Sequence, residues 1–225
     1  MVTRTYRDRE FELLDGVYDP GEDSFLLVEA ALGEVKPGDR VLEIGTGSGI
    51  VSLFLKDVAD VTATDISPLA CANARRNGVR VVRADLCHGL CGPFDLVIFN
   101  PPYLPTAEDE RLPAWLNRAF DGGPTGREVI ARFLEDAGSV IPPCGRVLTV
   151  FSSLAGIDEV VGLCRSHGFD PHGGFTTELD ISRTAHEDQP GFSVSWPPCR
   201  SPRCSTPRPS FRCTPSRRWP RSPSG

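Results

Sequence analysis

Residues 41–50 read VLEIGTGSGI: an apolar run broken by one acid, then Gly45, Gly47 and Gly49 at alternate positions, then apolar residues again. A short run of branched aliphatics between turn signals reads as a buried strand. Glycine takes up backbone conformations that other residues avoid and lets the main chain come close to a ligand. The stretch therefore reads as a strand that enters a helix through a tight glycine-rich turn. Two familiar phosphate-binding patterns do not fit it: the dinucleotide pattern G-x-G-x-x-G would need glycine where Ile50 stands, and no Gly-Lys-Ser/Thr follows. A tight connection that binds nothing is the plain alternative for such a turn.

Outward from this turn, strand-like and helix-like stretches alternate. Strands are expected at 40–44 (RVLEI), 61–64 (VTAT), 79–83 (VRVVR), 94–99 (FDLVIF) and 145–151 (GRVLTVF). Helices fit at 49–57, at 68–77 with Ser67 as cap and Pro68 as first residue, at 127–140 and at 156–167. An earlier helix takes Asp19 as cap and Pro20 as first residue, with Glu22 and Asp23 at the positive end of its dipole; it runs through FLLVEAAL and stops at Gly33. Repeated strand, helix, strand units of this length imply an α/β domain over residues 1–170: a mostly parallel sheet with helices on both faces and its ligand at the carboxyl ends of the strands. Beyond Asp170 the pattern fails. Residues 171–196 offer only the weak alternation GFSVSW (191–196) as an uncertain end of the sheet, and 197–225 is Pro/Arg/Ser low complexity, expected to be disordered.

The chain has 225 residues, 24 Lys and Arg against 30 Asp and Glu, and 40% hydrophobic residues, enough to bury a core that holds a cofactor cleft. No window approaches the roughly 18 consecutive apolar residues of a membrane span, and MVTRTYRDRE (1–10) lacks the apolar stretch of a signal peptide. A cytoplasmic protein with no membrane partner is expected. Residues 196–225 hold seven Arg and no acid, which leaves the rest of the chain at about −13. So acidic a body does not suit general binding to phosphate backbones, where Lys and Arg dominate. The eight cysteines form no C-x-x-C pair, and Cys87 and Cys91 have no matching pair, so no metal site is expected. They read as small buried or loop residues in a reducing compartment.

Glu43, Asp65 and Asp85 stand where such a sheet meets its ligand. Asp65 ends the second sheet strand, where a carboxylate can accept from both hydroxyls of a ribose. Asp85 follows the third and could accept from the exocyclic amine of adenine. Alone, either acid reads as a cap or a solvated loop residue; together, downstream of the acidic glycine turn, they point to a nucleoside pocket. Asn100-Pro101-Pro102-Tyr103 directly follows the fourth strand, FDLVIF. An amide or aromatic-amine nitrogen is a poor nucleophile because its lone pair is delocalised, so a site that uses one must accept both N–H bonds to draw it towards tetrahedral geometry. The side-chain oxygen of Asn100 and the carbonyl of Pro101 can be those acceptors, and Tyr103 can pack on the flat group. No strong base is then needed. The plain alternative is a Pro-Pro strand end with Asn100 capping a turn.

Together, VYDPGEDSFLL (17–27), VLEIGTGSGI (41–50), ATDIS (63–67), FDLVIFNPPYLP (94–105) and GGPTGREVIARFL (122–134) resemble the class I S-adenosylmethionine-dependent methyltransferases, and within them the HemK-type glutamine methyltransferases that modify translation release factors. The resemblance covers about residues 10–170. It implies a Rossmann-like fold and S-adenosyl-L-methionine as cofactor, held by Ser24, Glu43, Gly45, Gly47, Gly49, Asp65, Asp85 and Asn100. Pro20, Glu22 and Asp23 line the same pocket, with Ser24 near the methionine moiety. Asn100, Pro101, Pro102 and Tyr103 are the implied substrate-binding residues, with Asn100, Pro101 and Tyr103 catalytic. Arg127 and Glu128 match a segment near the substrate, where a first-turn salt bridge is the plain reading. Bacterial members carry a separate amino-terminal helical domain, whereas this chain reaches the cofactor motif by residue 18 and is more similar to the short archaeal and eukaryotic type. That type works with a small zinc-binding activator subunit. The family's last strand is not recognisable here.

The implied activity is methyl transfer to the side-chain amide nitrogen of a glutamine in the Gly-Gly-Gln loop of a class-one translation release factor. An adenine amino-group methyltransferase on RNA or DNA is the alternative, since the same geometry serves that nitrogen once the base is splayed out. The acidic body and the GGPTGRE segment favour the protein substrate. A cofactor-binding scaffold that transfers nothing does not fit the intact Asn100 and Tyr103.

Overall fold

The five expected strands form and lie side by side in one parallel sheet. In the computed structural model, which describes residues 1–107 and 117–171, the chain runs as β1 (Val2–Tyr6), β2 (Arg9–Leu13), α1 (Glu22–Glu34), β3 (Arg40–Ile44), α2 (Ile50–Leu55), β4 (Asp60–Asp65), α3 (Pro68–Arg76), β5 (Val81–Arg83), β6 (Leu96–Phe99), α4 (Glu128–Ala137), β7 (Arg146–Thr149) and α5 (Ile157–Ser166). The sheet order is β5-β4-β3-β6-β7. It turns back at β3, and such a reversal opens a crevice at the carboxyl ends of the central strands.

Alternate residues of each strand face opposite helix layers. Val41, Ala63, Ile98 and Leu148 pack with Leu27 and Val28 of α1, Leu55 of α2 and Ala74 of α3. Leu42, Ile44, Val97, Phe99 and Val147 pack with Ile130, Phe133 and Leu134 of α4 and Val160 and Cys164 of α5. Covered on both sides, the central strands are buried from end to end, β3 in every residue but Arg40 and β6 throughout.

Ser67 caps α3 as expected: its hydroxyl accepts from the Ala70 N–H at 3.3 Å, with Pro68 beside it. α1 departs from expectation. It starts at Glu22 after Gly21, and the Asp19 carboxylate pairs with Arg4 at 2.6 Å instead of capping. Arg4 belongs to an antiparallel hairpin of β1 and β2 that the pattern of residues 1–19 does not announce. β1 is exposed along most of its length, so it carries little alternation, while β2 buries Phe11 and Leu13.

Asn73 and Asn77, one turn apart on α3, tie this hairpin to the glycine turn. Asn73 Oδ1 accepts from the Leu14 N–H at 2.7 Å, and Asn77 Oδ1 from the Glu12 N–H at 2.8 Å. Both Nδ2 groups donate to the carbonyls of Glu12 and Ser48, at 2.8 to 3.1 Å.

Cys71, Cys87 and Cys164 are buried free thiols, but Cys91 and Cys144 are disulfide-bonded, which corrects the expectation of reduced cysteines for that pair of positions. The loop at Cys91 lies directly on the segment leading to Cys144. A Cβ at Gly92 would come within 2.6 Å of the Val140 carbonyl, which accepts from the Phe94 N–H at 2.8 Å. Among the described residues no helix is long and apolar enough to cross a membrane. The expected end of the sheet, including GFSVSW, and the expected disordered tail lie outside the described residues from 172 onward.

Candidate active site

The turn after β3 is left-handed at Gly45, Gly47 and Gly49, with φ of 66°, 54° and 87°. At Gly49 a Cβ would sit 3.1 Å from Cα and Cβ of Ala74, so glycine is what lets α3 close on the turn; a Cβ at Gly47 would meet nothing within 4 Å, leaving that backbone open to a ligand. Glu43 holds the turn from inside. Its buried carboxylate accepts from the Thr46 hydroxyl at 2.8 Å, from the Ser52 N–H at 3.0 Å and from the Ser52 hydroxyl. Burial pushes its pKa up from 4.5 to about 7 against those bonds. Expected among the cofactor contacts, Glu43 here has one carboxylate oxygen, Oε2, taken up by the turn itself.

Asp65, at the end of β4, accepts from the Gly47 N–H at 2.9 Å on one oxygen and from the Ser67 N–H at 2.8 Å on the other. Burial raises its pKa. Each carboxylate oxygen accepts more than one bond, so Asp65 can be pinned to the turn and still receive a hydroxyl. Asp85, expected to face adenine, is bonded by Arg132 of α4 at 2.8 Å and not by the glycine turn.

Asn100 stands at the end of β6 against the turn: a Cβ on Gly45 would lie 3.9 Å from the Asn100 carbonyl. Its Nδ2 donates to Asp23 Oδ2 at 2.9 Å, and the Tyr103 hydroxyl donates to the same oxygen at 3.2 Å. Asp23 Oδ1 accepts from the Tyr18 hydroxyl at 3.2 Å and from the Ser24 N–H at 2.7 Å. Asp23 thus gathers the strand-end loop and the start of α1 onto one buried carboxylate. Burial, with Asp23 beside them, pushes both tyrosine hydroxyls above their ordinary range and keeps them as donors. A carboxylate only accepts, so Asn100 must turn its nitrogen to Asp23 and its oxygen away. That oxygen is buried and has no partner. Leaving a buried acceptor unpaired costs about 1–3 kcal/mol, and this one is the acceptor that a planar nitrogen nucleophile requires. Asn100 therefore caps no turn.

The loop after Asn100 is braced from behind by 120–126. The Leu104 N–H donates to the Phe120 carbonyl at 3.1 Å, the Gly122 N–H to Leu104 at 3.0 Å and the Thr106 N–H to Gly123 at 2.9 Å. Cβ atoms at Gly122 and Gly126 would come 2.9 Å from the Pro102 carbonyl and 2.4 Å from that of Tyr103, which explains the glycines of GGPTG. The expected salt bridge between Arg127 and Glu128 gives way to other partners: Glu128 accepts from the Thr125 hydroxyl at 2.9 Å, and the Arg127 guanidinium donates to the Ala155 carbonyl at 2.7 Å.

A family model described as a methyltransferase domain matches residues 41–121. A protein of Methanocaldococcus jannaschii, named as a protein N5-glutamine methyltransferase, is 42% identical over 161 residues that cover 68% of this chain and 81% of that one. The chain belongs to the HemK-type glutamine methyltransferase family. The mouse methyltransferase HEMK2 is 38% identical over 169 residues, covering 68% and 79% of the two chains. Among solved structures, E. cuniculi Mtq2 in complex with Trm112, described as responsible for methylation of the eRF1 translation termination factor, aligns with a TM-score of 0.66 and 28% identity over 82% of this chain and 99% of that one.

Within this HemK-type site, the glycine turn, Asp65 and Asn100 to Tyr103 come together as the sequence suggests. Asp23 and Tyr18 have roles that residue patterns do not show. The sequence offers Asp23 as part of an acidic first helical turn and, by resemblance, as lining the cofactor pocket, but not as the partner of Asn100, which is 77 residues away.

Proposed function

We propose that the chain transfers a methyl group from S-adenosyl-L-methionine to the side-chain amide nitrogen of the glutamine in the Gly-Gly-Gln loop of a class-one translation release factor. The observation that carries this reading is the buried, unpartnered Oδ1 of Asn100, aimed by the bond from its own nitrogen to Asp23. The residues present fit the cofactor: the Gly47 backbone is open, and Asp65 keeps acceptor capacity for ribose hydroxyls. On this reading Gly45, Gly47 and Gly49 let the backbone approach, Ser24 lies at the methionine end, and Asp85 meets the adenine amine with the oxygen that Arg132 does not hold. The bound cofactor supplies an electrophilic sulfonium methyl.

Asn100 Oδ1 and the Pro101 carbonyl accept the two N–H bonds of the glutamine amide and draw its nitrogen towards tetrahedral geometry. Pro102 holds the loop, and the Tyr103 ring packs on the flat amide. With the cofactor bound, the N–C bond would form as the S–C bond of its sulfonium breaks, S-adenosylhomocysteine would be the leaving group, and one N–H proton would pass to solvent; an N-protonated amide is a strong acid, so no dedicated base is required. The reading includes a small zinc-binding activator subunit and a cytoplasmic setting. The complex of Mtq2 with Trm112 supports the former.

The test is intact-mass analysis of a cognate release factor after incubation with this chain, an activator candidate and S-adenosyl-L-methionine. The expected result is a gain of one methyl group, lost when the loop glutamine is replaced. No gain, with the cofactor still bound, would overturn the reading in favour of an adenine amino group.

A further inference from the structure

We propose that Asp23 is the specificity-determining residue that makes this pocket take a carboxamide and refuse a carboxylate, an inference that rests on the reading of Asn100 as the amide acceptor. An asparagine side chain is a fork with an acceptor on one prong and two donors on the other, of nearly equal shape. Left alone, it offers either prong. The Asp23 carboxylate removes the choice, because it bonds Nδ2 of Asn100 at 2.9 Å and has no proton to give. The Tyr103 hydroxyl on the same oxygen and the Tyr18 hydroxyl and Ser24 N–H on the other hold the carboxylate in place. The pocket therefore presents a buried acceptor to whatever enters.

A glutamine amide brings two N–H donors to that oxygen. A glutamate carboxylate, almost the same size, brings none; its charge would lie against the lone pairs of Asn100 Oδ1 with the Asp23 anion just behind. Sites built around a substrate hydrogen bond reject the analogue that lacks it by about 10⁴–10⁵-fold. With Asp23→Asn, residue 23 can accept or donate, Asn100 is free to turn its Nδ2 inward, and a carboxylate becomes tolerable.

The experiment measures binding of release-factor peptides carrying Gly-Gly-Gln or Gly-Gly-Glu to the full chain, wild type and Asp23→Asn, with S-adenosylhomocysteine present. The wild type should prefer glutamine by about 100-fold or more, and Asp23→Asn should reduce that ratio at least tenfold while its melting temperature shows it folded. An unchanged ratio would overturn the inference. A second readout needs no peptide: hydrogen exchange of the Asn100 side-chain amide in the wild type by NMR, assigned by its loss in Asn100→Ala. Slow exchange in the wild type is expected, and fast exchange would also overturn the inference. Slow exchange without binding of either peptide would leave the orientation of Asn100 by Asp23 standing and overturn the assignment of a glutamine substrate, and with it the discrimination between the two peptides.

Discussion

Replacing Asn100 by alanine removes the buried side-chain acceptor that the site holds in readiness, and transfer should fall about 100-fold or more. Initial rates by mass spectrometry check this, and an unchanged rate would refute the mechanism. Glu43 sets a second expectation, on stability. Folded, it keeps its proton up to a pKa of about 7, whereas its ordinary value is 4.5. Between those values the folded chain binds more protons than the unfolded one, so stability falls as pH rises from about 4.5 to 7 and levels off above. The full span is about 3 kcal/mol. Melting temperature should decline across that window in the wild type, and Glu43→Gln should flatten the decline.

At the scale of elements, the clamp from α3 is the contact to break. Asn73→Ala strips partners from the Leu14 N–H and from one of the bonds on the Ser48 carbonyl. A loss of about 1–3 kcal/mol is expected for the part-buried Leu14 N–H left without this partner, read as a shift in denaturant midpoint. Cofactor affinity should weaken too, since Ser48 lies inside the glycine turn. The parallel strands are legible in the sequence because burial on both faces fills RVLEI and FDLVIF with Val, Leu, Ile and Phe, broken by a single acid in each. β1 is not, because VTRTY has no buried face of its own and is held by a hairpin partner and by Arg4 reaching Asp19. The same holds for Asp23 and for Arg132 on Asp85: a short acidic stretch looks alike whether it caps, solvates or orients. Only the fold brings the deciding partner to it.

For the whole molecule, the sheet separates two apolar layers that share no side chain. Leu55 of α2 and Phe133 of α4 are buried in opposite layers. Each cut to alanine should cost about 2–5 kcal/mol, and the double variant should match the sum to within about 0.5 kcal/mol. Equilibrium denaturation of the four proteins checks this, and a clear departure would mean that the layers communicate through the sheet. Phe133 also lies against Phe99, with ring centroids 5.2 Å apart, directly before Asn100 in the chain. Its variant should therefore lose transfer activity beyond what its stability explains.

The asparagine clamp also sets a timetable for the newborn chain. Asn73 and Asn77 follow the backbone groups of Leu14 and Glu12 by 59 and 65 residues. A ribosome adding roughly 5–20 residues each second makes them some 3 to 13 seconds later. From the synthesis of Gly49 to that of Asn73 the growing polypeptide carries the letters of the cofactor turn without the bonds that shape it. The bonds of the clamp cannot form before α3 is translated, and a ribosome stalled before residue 73 leaves a fragment that has the motif but not the clamp.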